Sequence, residues 1–224
     1  MPAQKPVASK QPAPSEVVEK MYMQVNNISQ GFAIAILIDT LAKRFTNGYL
    51  TYDNGDFSAL LLAFTSLCIS IIFWTRYYFD TFIIKRSFSV RSMVWFFAYV
   101  VAEGFSFKQI DKPINWFVAT GIFLVFGIGF YILNLAEIQR KQKDRVKLNL
   151  PEKYVDNLES YILWQKLRLI DLFIVMGLAF TGAVLASAYS FLQYPIAVIT
   201  LIIAVWQLSK SRDYKKFGFS NSYL

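Results

Sequence analysis

The sequence predicts an all-α fold, a polytopic bundle of six helices in a membrane. Three observations predict it. The 224 residues are 55% hydrophobic and only 17% charged, whereas a soluble domain averages about a quarter charged residues. The apolar residues gather into runs of about 20, the length needed to cross a hydrocarbon core of about 30 Å. Finally, lysine and arginine concentrate in alternate connectors. Lipid is therefore the expected solvent, and the mean hydropathy of +0.39 agrees.

Each element follows from local chemistry. Residues 1–14, MPAQKPVASKQPAP, read as a disordered cytoplasmic lead and not as a secretory signal, because no apolar stretch stands directly behind Lys5 and Lys10. From Ser15 the spacing of Val18, Met21, Val25, Ile28 and Phe32 is that of one helix face. Ser15 is a suitable N-cap, with Glu16 and Glu19 near the positive end of the helix dipole. This amphipathic start runs into a first span at 28–45. Its apolar core is short and contains Asp39, so the alternative is five spans plus one re-entrant or interfacial helix. The stretch 46–56, TNGYLTYDNGD, is turn chemistry.

Further spans are expected at 57–83, 92–107, 113–136, 163–187 and 195–208. Pro113 suits a first helical turn, where its missing N–H would be unpaired anyway. A polar cytoplasmic hinge covers 137–159, within a single transmembrane domain at 15–208. Residues 209–224 form a basic tail. With the N-terminus inside, the inner segments carry sixteen Lys and Arg and the outer segments four. That asymmetry places both termini in the cytoplasm.

Composition also excludes chemistry. The chain has no histidine and one cysteine, Cys68, so a His-based triad, a His-ligated haem and an internal disulfide are excluded, and a structural zinc site is not expected. No P-loop, nucleophile elbow or H-E-x-x-H occurs. The expectation is a protein that is not an enzyme and needs no cofactor or metal.

Charges inside spans are costly and are the first candidates for function. Asp39 and Glu103 each stand about eleven residues into their spans from the cytoplasmic side, so the count puts both about 16 Å deep. Together with Gln30 they are the candidates for an ion or solute pathway. The competing reading is local pairing, Asp39 with Lys43 and Glu103 with Lys108. A second group lies near the inner interface: Arg76 and Asp80, Arg168 and Asp171, and Glu137. The first two pairs have helical spacing, and guanidinium groups there suit lipid phosphates or neighbouring helices. Gly121, Gly127 and Gly129, with Gly177, Gly182 and Ala186, mark packing faces in the fourth and fifth spans.

The expected partners are the bilayer, with anionic lipid against Lys210, Arg212, Lys215 and Lys216, and a second copy or another membrane protein. Nucleic acid is not expected, because basic and acidic residues interleave in the hinge. These features lead to a channel or transporter for an ion or small solute. The alternative is a membrane scaffold that recruits partners through the hinge and tail.

Overall fold

The computed structural model describes residues 14–45, 54–84, 90–143 and 152–210. Among them are six α-helices and no strand. They are α1 (Pro14–Phe45), α2 (Asn54–Ile84), α3 (Val90–Lys108), α4 (Pro113–Lys143), α5 (Glu152–Ala188) and α6 (Gln193–Lys210). The predicted lead, residues 46–53 of the predicted turn at 46–56 and the tail beyond Lys210 lie outside the described residues, and α2 already begins at Asn54.

Among the described residues, four helices contain stretches long and apolar enough to cross a membrane: Met23–Phe45, Phe57–Tyr77, Pro113–Arg140 and Glu159–Ala188. The first helix, the weakest expectation from sequence, belongs to this group. Its amphipathic start and its apolar part form one uninterrupted helix of 32 residues. Helices α3 and α6 are apolar but have only 19 and 18 residues, the lower end of the spanning range.

The solvent for which the bundle is built shows in its surface. Phe32, Phe64, Val101, Phe105 and Val184 are largely exposed, while Gln30, Ser66, Arg76, Glu103, Gln165 and Gln207 are buried. Water would penalise that arrangement on both counts. Lipid favours it, because polar side chains then find each other inside and apolar ones meet acyl chains outside.

Helix α4 packs along both α3 and α5, α2 lies against α6, and α1 is held chiefly by α3. Two tight turns help set this order. Between α3 and α4, Gln109 N–H donates to Ser106 O at 3.0 Å and Lys112 N–H to Gln109 O at 2.8 Å. Pro113 then opens α4, as its fixed φ allows. After α5, a 3₁₀ turn at Ser190–Leu192 leads into α6. The polar hinge is shorter than the sequence suggests, because α4 continues to Lys143 and α5 already begins at Glu152.

The interior is aromatic. Phe73 of α2, Tyr99 of α3 and Phe123 of α4 form a triangle with ring centroids 5.0–5.5 Å apart. Each such pair adds about 0.5–1.5 kcal/mol beyond burial. The glycines of α4 and α5 serve these rings. A Cβ at Gly127 would stand 2.6 Å from Phe73 Cζ, and one at Gly129 would collide with the Trp95 indole. Phe180 of α5 fills the notch at Gly121 of α4, and Phe117 of α4 fills the notch at Gly182 of α5. The small residues thus act as sockets for aromatic rings. Gly177 is different, since a Cβ there would meet nothing within 4 Å, and Ala186 is buried in a second apolar cluster.

Candidate functional site

Polar residues at helical spacing build a strip inside the bundle. Asn26 and Gln30 share one face of α1, Ser66 and Ser70 one face of α2, and Tyr99, Glu103 and Ser106 one face of α3. All seven are buried. Each helix therefore turns a polar stripe inward within its apolar part.

The strip centres on Glu103, which is 0% exposed. The Gln30 amide donates to Glu103 Oε2 at 3.2 Å and so joins α1 to α3. The Ser70 hydroxyl faces the same carboxyl from α2, and Tyr99 stands beside both Glu103 and Gln30. Among the described residues, Glu103 Oε1, Ser70 Oγ and Tyr99 Oη find no hydrogen-bond partner. Leaving one such group buried costs about 1–3 kcal/mol, and a charged one more. Two such hydroxyls beside one carboxyl oxygen make an oxygen-rich cluster suited to a proton or a small hard cation. A void of about 10 Å³ lies on the other side of Gln30 and Tyr99, walled also by Asn26 and Tyr77 and by the rings of Phe73, Trp74, Phe96 and Phe130, which is room for about one water.

The strip extends towards the α3–α4 turn. The Ser106 and Thr120 hydroxyls lie 2.7 Å apart, and Trp116 Nε1 donates to Ser66 Oγ at 2.8 Å. In the other direction along α2 lies Arg76, six residues from Ser70 or about 9 Å along the axis. It is 2% exposed, and its guanidinium carbon stands 5.4 Å from the centroid of the Tyr131 ring. Arg76 Nε, Nη1 and Nη2 are without hydrogen-bond partners among the described residues.

The sequence-derived pathway candidates separate. Gln30 and Glu103 meet, but Asp39 does not join them. Its side chain is 60% exposed and paired with Lys43 at 2.6 Å. Nine residues separate Asp39 from Gln30, so Asp39 stands about 13 Å nearer the α3–α4 end than Glu103. Counting residues from a common edge misjudged its depth, because the contact between Gln30 and Glu103 sets the register of α1. Lys108 lies at the end of α3, and Glu103 pairs with Gln30 instead.

Of the interface group, Arg168 and Asp171 pair at 2.8 Å, with the guanidinium over the Trp206 ring at 5.4 Å. Glu137 is half-buried. The Asp80 side chain lies outside the described residues, so the expected Arg76–Asp80 pair does too.

Sequence reasoning gave its weight to charges and missed Ser70, Tyr99, Gln165 and Gln207, which are all buried. Gln165 donates to the Tyr161 hydroxyl one turn away, and the Tyr131 hydroxyl donates to the Gln165 carbonyl at 3.1 Å. The signal that would have found the strip is polar residues four apart inside apolar runs. Among the described residues no group of three or more His, Cys, Asp or Glu is placed to hold a metal ion. No protein-family model, curated protein or solved structure matches the chain.

Proposed function

We propose that this chain is a multi-pass membrane protein that moves a proton or small cation, with Glu103 as the group that binds it. The observation that carries this reading is the enclosed Glu103 carboxyl, which keeps one oxygen open beside the unpartnered hydroxyls of Ser70 and Tyr99. An uncompensated carboxylate in a low-dielectric interior costs several kcal/mol, and function is the usual reason to retain one in a membrane. The connector charges favour an orientation with both termini cytoplasmic. The α3–α4 turn then faces outward and the basic tail meets anionic lipid. The protein is read as non-enzymatic and as a homo-oligomer, with the exposed Ile34 and Ile38 of α1 available to another copy.

The test is flux into liposomes containing the purified protein, with protons, sodium and potassium offered separately. Wild type should move at least one of these above the empty-liposome rate, and Glu103→Gln should abolish the movement while remaining folded. Equal flux by the two proteins would end the proposal.

A scaffold is the second reading, favoured by the small void beside Gln30: a bundle with little internal space anchors well. On that reading wild type moves none of the three ions, and the hydrogen bond between Gln30 and Glu103 only fastens α1 to α3.

A further inference from the structure

We propose that the lateral groove between α1 and α3 holds one acyl chain of a phospholipid, with the lipid phosphate on Lys108. The groove encloses about 860 Å³, within the range of small-molecule sites. One wall is Ile28, Phe32 and Ile36 of α1, and the other is Phe97, Val101 and Phe105 of α3. From Phe97 to Lys108 the helix rises about 16 Å, close to the depth of one leaflet's hydrocarbon, about 15 Å.

All the charges gather at one end, where Asp39, Lys43, Lys108 and Asp111 line the mouth. Asp39 is held by Lys43 at 2.6 Å, and Asp111 by Arg44 at 3.0 Å. Of these groups, Lys108 is the cation left without an ion-pair partner among the described residues, and it is exposed. An apolar channel one leaflet deep with one uncompensated ammonium at its mouth matches a molecule with a tail and an anionic head. The floor is Gly104, where a Cβ would come within 2.9 Å of Ile36 Cδ1. Ile36 of α1 thus packs directly on the α3 backbone, and the buried face of the same seam carries Gln30 and Glu103. Lipid in the groove therefore braces α1 against α3.

The inference rests on the membrane reading and is independent of cation movement. The protein, stripped of lipid in a nonionic detergent, is titrated with dioleoyl phosphatidylglycerol, with dioleoylglycerol and with glycerol 3-phosphate. Thermal unfolding and native mass spectrometry report on each titration. Phosphatidylglycerol should raise the unfolding midpoint and be retained at one molecule per chain. Lys108→Gln should weaken its apparent affinity about tenfold, Lys112→Gln should leave it unchanged, and Val101→Trp, which fills the groove from an exposed position, should abolish retention. Four outcomes overturn the proposal: an equal response to dioleoylglycerol, a response to glycerol 3-phosphate alone, no response to any of the three, or a lipid-free dimer cross-linked through Val101. Loss of lipid binding with ion flux intact would defeat this inference alone, and loss of flux with binding intact would defeat only the transport reading.

Discussion

Replacing Gln30 with leucine removes the amide that donates to Glu103 Oε2 at 3.2 Å and substitutes an apolar side chain of similar size. Hydrogen bonds between membrane helices average about 0.6 kcal/mol and reach about 1.7. Here the acceptor is a fully enclosed carboxyl whose other oxygen is already unpartnered, so the upper end applies, with a further cost for orphaning a buried acceptor. The expected loss is about 2 kcal/mol, roughly a thirtyfold shift in the folded-to-unfolded ratio. Glu103→Leu orphans the Gln30 amide instead and should cost about 1 kcal/mol. The double variant leaves neither partner stranded and should lie near wild type, which makes the coupling energy about 3 kcal/mol. The assay is reversible unfolding in mixed micelles of rising dodecyl sulfate fraction, followed by circular dichroism. A neutral Gln30→Leu, or a double variant that loses the sum of the two single effects, would refute the contact as an energetic one.

The other expectations concern packing, the Arg168–Asp171 pair and the surface. Gly129→Ala drives a methyl into the Trp95 ring and should cost about 1–3 kcal/mol. Gly177→Ala meets nothing within 4 Å and should be neutral or stabilising by up to about 1 kcal/mol, so the two belong in one unfolding series. Ser66→Ala strands the Trp116 indole N–H in the interior and should cost about 1–2 kcal/mol. Asp171→Asn weakens the partner of the mostly buried Arg168 and should cost at least about 2 kcal/mol, below the full range for buried pairs because both side chains keep some exposure. Asp39→Asn breaks only an exposed pair. It should change stability by less than about 1 kcal/mol and leave ion flux in liposomes as it is in wild type.

The helices were legible in the sequence because each is longer and more apolar than any local signal that competes with it. Pro113 marked the start of α4 to the residue, since proline is tolerated at only a few helical positions. The Arg168–Asp171 pair was legible for a similar reason, since residues three apart on a helix face must be neighbours. Contacts between helices were not legible. Whether Asp39 or Gln30 meets Glu103 depends on the axial register of α1 against α3, and a shift of a few residues exchanges them. Nor does composition tell whether a glycine faces another backbone or an aromatic ring, as Gly127 and Gly129 do. Ser70 and Tyr99 escaped notice because one hydroxyl in an apolar run says little until the facing helices place several together.

Fold, ion site and lipid groove all depend on the apolar exterior being immersed in lipid. The direct measurement is the collision accessibility of single spin labels in proteoliposomes, placed at 64, 101 and 112 in a Cys68→Ser background. Phe64 and Val101 are largely exposed on helices assigned to the membrane, and Lys112 lies in the α3–α4 turn. The account predicts that oxygen, which partitions into lipid, outcompetes a water-soluble nickel chelate at 64 and 101, with the order reversed at 112. Free access of the nickel chelate to 64 and 101 would contradict it.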